Sequence, residues 1–187
     1  VETTPGREDY SCTWSKGEDG AWSIAKGSEA SEIITTSRVR TVIEPAETAG
    51  FEVWQMVTTI SKGNVPASCV CEVYQNSPMG NLLLTRVEGY GSDAAQTTTY
   101  EYDGVGNIIA QTSPNGHKVE YCYDLYGRMI KRSEPWRAGN FKLITDYTYA
   151  NTSDSRYSSE ISAITQWLRQ DGATSMTKLS TETHTYS

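Results

Sequence analysis

The chain has 187 residues, 37% of them apolar, and a formal net charge of −7. An acidic chain has no long-range attraction for phosphate backbones, and no basic run exceeds Lys131-Arg132, so nucleic acid and anionic membrane surfaces are not expected partners. No apolar stretch approaches the roughly 18 residues of a membrane-spanning helix, and no secretory leader is visible.

The chain opens on Val1-Glu2-Thr3-Thr4 and closes on His184-Thr185-Tyr186-Ser187, within a strand-like run. It reads as cut from something longer. Composition leans to β-structure: tyrosine has 12 copies against 2 phenylalanines, and Tyr, Thr, Val and Ile suit a pleated, half-buried surface.

In chain order, Trp14 and Trp22 come first, set among Ser, Gly and acidic residues. Gly17-Glu18-Asp19-Gly20 between them has the composition of a hairpin tip, which would let the two indoles face each other across the strands. Ile33–Val42 and Phe51–Ile60 follow as strands, and Lys62-Gly63-Asn64 turns the chain into a third strand, Ser68–Tyr74. Leu82–Val87 and Phe141–Tyr149 are further strands. Ser159–Arg169 has Ile161, Ile164 and Leu168 at near-helical spacing, but Ile161–Arg169 is read as a strand, with Asp171-Gly172 leading a hairpin into Thr174–Tyr186.

The centre repeats itself. YEYDGVGNIIAQTSP (100–114) aligns with YCYDLYGRMIKRSEP (121–135), with identities at Tyr100/Tyr121, Tyr102/Tyr123, Asp103/Asp124, Gly106/Gly127, Ile109/Ile130 and Pro114/Pro135. Weaker copies flank the pair, at Gly80-Asn81-Leu82-Leu83 and at Tyr147-Thr148-Tyr149. Each unit is legible as chemistry. Tyr-x-Tyr puts two aromatic side chains on one face of a strand. Asp103 and Asp124 can accept hydrogen bonds from amides ahead of them in a turn. Gly106 and Gly127 can take positive φ at no steric cost. Asn107 and Arg128 begin the return strand, and Pro114-Asn115-Gly116 marks a second turn at the other end. The expected fold is all-β: hairpin units of about 21 residues forming a twisted antiparallel sheet. The chain, 1–187, is read as one unit, clearest over 80–150 and resting on continuity over 1–60. On this reading Asp103→Ala or Gly106→Val lowers stability and abolishes no activity.

Tyr100-x-Tyr102-Asp103-x-x-Gly106-Asn107 and Tyr121-x-Tyr123-Asp124-x-x-Gly127-Arg128 resemble the YD repeat of Rhs proteins, of the C components of bacterial Tc toxins and of animal teneurins. The resemblance implies a β-ribbon that winds into a hollow shell, and in toxin members a shell enclosing a C-terminal toxin. It implies export or the cell surface. The remainder of the parent chain, and an enclosed toxin domain or surface glycans, are the partners it suggests. The Asp-Pro-x-x-Gly motif of the self-cleaving protease found in some members is absent from this sequence.

Catalytic constellations are sparse. The imidazoles are His117 and His184, and His117 follows a turn glycine. There is no Gly-x-Ser-x-Gly and no phosphate-cradling loop. Asp103 and Asp124 could form a glycosidase pair, but turn capping explains both with one cause. Cys12, Cys69, Cys71 and Cys122 lack the second close pair and nearby histidines of a zinc site, and read as buried small hydrophobes, with one disulfide open if the parent is exported. No cofactor and no metal is expected. Trp54 and Trp167 read as core, while Trp14, Trp22 and Trp136 are the candidate ligand-facing aromatics. The expected function is a non-catalytic scaffold or shell segment; the alternative is a glycan-binding or adhesin-like surface that uses exposed aromatics.

Overall fold

The computed structural model describes residues 12–16, 22–26, 34–45, 51–62, 65–136, 140–150 and 160–185. The chain divides into two compact units, Val1–Thr99 and Tyr100–Ser187. The division falls on the first tyrosine of the first clear repeat.

The first unit contains β1 (Cys12–Lys16), β2 (Trp22–Lys26), β3 (Ile34–Glu44), β4 (Val53–Lys62), β5 (Val65–Ser77), β6 (Gly80–Glu88) and the start of β7 (Gln96–Tyr102). Each strand pairs antiparallel with the next in chain order. Hairpins alone generate such an order, so no crossover is needed. The second unit contains the end of β7, then β8 (Ile108–Thr112), β9 (Lys118–Tyr123), β10 (Met129–Pro135), β11 (Phe141–Tyr149), β12 (Ile161–Gln170) and β13 (Thr177–Thr183). From β8 onward, neighbours again pair antiparallel in chain order. No helix occurs among the described residues. Residues 161–170, where helical spacing competed, form β12, in which residues 161 and 163–170 pair in register with β11.

The expected strands are all present, with shifted ends. β5 is longer than Ser68–Tyr74, and β13 is shorter than Thr174–Tyr186. The proposed tip 17–20 and the turn residues 63–64 lie outside the described residues, although the strands on either side pair as a hairpin requires.

A single layer of sheet buries little. Among the described residues the buried apolar side chains are Trp54 and Cys71 in the first unit, and Ala110, Leu143 and Ile144 in the second. Leu143 and Ile144 are consecutive on β11 and point to opposite faces, so β11 is covered on both sides. Its neighbours do this. Ile144 lies between Ser133 and Trp167, and Leu143 between Glu134 and Leu168.

Candidate functional site

The two Asp turns share one construction. Asp103 N–H donates to Asn107 O at 3.0 Å and Gly106 N–H to Asp103 O at 3.2 Å. Asp124 and Arg128, with Gly127, repeat this at 3.0 Å for both bonds. Gly106 and Gly127 sit at φ 91° and 75°, the region that favours glycine. The carboxylate then ties down the loop. Asp103 Oδ1 accepts from the amides of Val105 (3.0 Å) and Asn107 (2.8 Å), and Oδ2 from Asn107 Nδ2 (2.9 Å). Asp124 Oδ1 accepts from Tyr126 N (2.9 Å) and Arg128 N (3.0 Å), and Oδ2 from Arg128 Nε (2.7 Å). Asn107 and Arg128 are thus interchangeable for a physical reason: each gives the aspartate one backbone and one side-chain donor.

The side chain of Asn107 holds the Asp103 carboxyl below its ordinary value of 3.8, with help from the turn amides and against the cost of desolvation. For Asp124, desolvation is the largest influence and pushes upward, but the amide and guanidinium of Arg128 and the amide of Tyr126 together bring it below 3.8. Neither carboxyl is held protonated near neutrality, as a glycosidase acid must be. Groups with lowered folded values stabilise the fold above their unfolded value and stop doing so as pH falls through the folded value. We therefore expect melting temperature to fall as pH drops below about 4. An Asp103→Asn/Asp124→Asn double variant should show a flatter acid limb; identical acid limbs would refute this role.

A third turn of the same shape stands at the opposite end of the strands. Ser113 N–H donates to His117 O at 3.0 Å, Gly116 N–H donates to Ser113 O at 2.9 Å, and Gly116 has φ 80°. Asn115 Oδ1 accepts from His117 N at 3.3 Å. The 21-residue period is therefore two hairpin turns. The second turn falls where Pro114-Asn115-Gly116 marked it, with Ser113 in the place that Asp103 and Asp124 hold in theirs.

Successive units are tied by tyrosine. Tyr123 OH donates to Ile108 O at 2.9 Å, and Tyr149 OH to Met129 O at 2.8 Å. Ile108 and Met129 hold the same place in their units, two residues after the turn glycine. The β9–β10 register slips between Met129 and Lys131. Such a bulge takes local backbone out of the ladder, and the phenol satisfies the Met129 carbonyl there. Arg128 adds a second link: its guanidinium caps Asp124 and lies 4.5 Å from the Tyr149 ring centroid. Tyr149→Phe should cost about 1 kcal/mol, read as a lower urea midpoint with an unchanged slope. No change would mean that the hydroxyl ties nothing.

A family model described as RHS Repeat matches residues 102–135. The chain carries an RHS repeat. The matched stretch runs from Tyr102 through both Asp turns and the Ser113 turn to Pro135, so the repeat is the tied pair of hairpins just described. No curated protein matches the chain. Of the signature residues, Asp103, Gly106, Asn107, Asp124, Gly127 and Arg128 build the turns, and Tyr123 makes a tie. Tyr100 and Tyr102 lie on β7 and Tyr121 on β9, with Tyr102 and Tyr121 inside the matched RHS repeat.

The other candidates are placed as follows. His117 is exposed in its turn. Cys71 is buried, and burial pushes its thiol upward, with smaller contributions from Cys69 and Glu72. Cys122 is exposed, against the expectation of a buried hydrophobe, because β9 turns that position toward solvent. Cys69, Cys71 and Cys122 are free thiols; the side chain of Cys12 lies outside the described residues. Register pairs Trp14 with Ile24 and Trp22 with Lys16, so the two tryptophans hold diagonal positions and are not directly opposite. Trp136 is half-buried where its N–H closes a loop on Phe141 O at 2.8 Å.

The aromatic centre of the first unit escaped sequence reading. Trp54 stacks on Tyr74 with centroids 4.5 Å apart, and the Arg40 guanidinium lies 4.7 Å from the Trp54 centroid. Trp54 Nε1–H donates to Asn76 Oδ1 at 3.0 Å. Beside this stack is a cleft of about 300 Å³ over Met56 and Thr58, flanked by Arg38 and Glu72.

Proposed function

We propose that the chain is a wall segment of an exported RHS-repeat shell, with a structural and non-catalytic role. The tyrosine ties carry this reading. Each spends a chemically able side chain on fixing one repeat to the next, and the turn carboxylates are likewise committed to backbone amides. A surface built this way resists local opening, which is what a container wall or a cell-surface scaffold needs. Enclosure of a toxin domain is the use that the family resemblance favours.

The glycan-binding alternative draws less support. A sugar stacks on an exposed ring face, and of the candidate aromatics Trp136 is half-buried, while the side chains of Trp14 and Trp22 lie outside the described residues. The shell reading is tested by imaging the protein expressed together with its flanking coding sequence. The expected result is a hollow particle whose interior resists protease. A flat or fibrous assembly open to protease would overturn enclosure.

A further inference from the structure

One face of the second unit carries a row of charges that alternates and then fails to. Lys118 Nζ lies 2.7 Å from Glu101 Oε1, and Lys142 Nζ lies 2.9 Å from Glu120 Oε2. The sequence across this region is therefore acid, base, acid, base. The next residue is Arg169, which β11–β12 register places directly opposite Lys142. Like charges directly opposite on a sheet repel. Arg169 makes no ion pair among the described residues, although it is near enough to Glu120 to help lower that carboxyl, and its Nε is buried with no hydrogen-bond partner.

Two more groups on the same face lack partners. Ser133, Ile144 and Trp167 form a cross-strand row, two residues along from Lys142 and Arg169 on their strands, and residues two apart share a face. Ser133 Oγ and Trp167 Nε1 are both buried without a hydrogen-bond partner. Lys178 is paired with Trp167 across β12–β13 and holds its ammonium 5.9 Å from the indole centroid. An indole N–H and a guanidinium N–H are donors only, and a hydroxyl can donate. The patch therefore offers unpaired donors beside Lys142, Arg169 and Lys178, while the carboxylates on this face, Glu120 and Asp146, are already paired with Lys142 and Lys131, in a chain whose net charge is −7. What is missing is an anionic acceptor.

We propose that this patch binds the carboxylate side chains of an acidic polypeptide, seated between Lys142 and Arg169. A carboxylate there continues the alternation and relieves the Lys142–Arg169 repulsion. Arg presents a planar fork suited to carboxylate. A polypeptide is favoured over an acidic sugar because Lys178 already occupies space over the Trp167 ring, where a sugar would stack. The proposal stands independently of the shell reading, which would survive its failure.

The test is calorimetric titration of the whole chain with hexaglutamate at low salt, with hexaglutamine and trigalacturonate as comparison ligands. Hexaglutamate should bind saturably and hexaglutamine should not. Arg169→Gln should weaken binding about tenfold, the size of one lost charge-assisted contact, without lowering the melting temperature, since it removes a repulsion. Lys178→Gln, at an exposed position, should also weaken it and serves if Arg169→Gln fails to fold. Arg38→Gln, on an exposed arginine of the first unit, should leave it unchanged. The proposal is overturned by an absence of saturable binding, by equal loss in Arg38→Gln, or by tighter binding of trigalacturonate.

Discussion

Ile144→Ala should lower the stability of the second unit by about 2–5 kcal/mol, the usual range for deleting a buried branched aliphatic side chain. Ile144 is only 3% exposed, and it sits at the middle of β11 between Ser133 and Trp167. Among the described residues few other apolar groups are buried, so little can move to fill the space. Against a typical total of about 5–15 kcal/mol, such a loss is a large share. Leu125→Ala is the natural comparison: Leu125 is fully exposed at a turn tip, and truncating it should change stability by no more than about 0.5 kcal/mol. Urea unfolding followed by circular dichroism measures both. Equal midpoints for the two variants would mean that β11 is not the core of its unit.

Gly127→Val should cost about 1–3 kcal/mol, the range for a residue forced into a sparsely populated backbone region. The cause is conformational and not steric crowding. A Cβ at Gly127 would meet only Asn107 Oδ1, at 3.9 Å, an ordinary contact. The φ of 75° is what a β-branched residue resists. Gly127→Asn should be much milder, because asparagine visits the left-handed region. Gly104→Ala should be nearly silent, since nothing lies within 4 Å of its Cβ and its φ is not left-handed. Thermal melts of the three variants decide the matter, and a Val variant as stable as the Asn variant would remove the turn from the account. Asn107 Oδ1 lies 3.9 Å from where a Gly127 Cβ would stand, so neighbouring Asp turns lie beside each other, as a 21-residue repeat of paired hairpins requires.

Both predictions concern features of different range, and range explains what could be read in advance. The Asp turns lie within five residues, Asp103 to Asn107 and Asp124 to Arg128. Their hydrogen bonds are local, so residue type and spacing specify them, and the hairpin then brings the flanking strands together in chain order. All-β architecture, the Asp caps, the turn glycines and the strand at 161–170 followed from that logic.

Contacts across strands obey register, which a bulge can shift by one residue, and a one-residue shift moves a side chain to the other face. The slip at Met129/Lys131 helps give Tyr149 a carbonyl to bind. The register of β1 and β2 decides that Trp14 meets Ile24. The pairing of β11 with β12 sets Arg169 directly opposite Lys142. Turn chemistry and strand order were thus determined by the sequence alone, because their energies are settled between near neighbours. The tyrosine ties, the Trp54–Tyr74 stack and the interrupted charge row were decided by tertiary structure, because they join residues whose proximity no local spacing encodes.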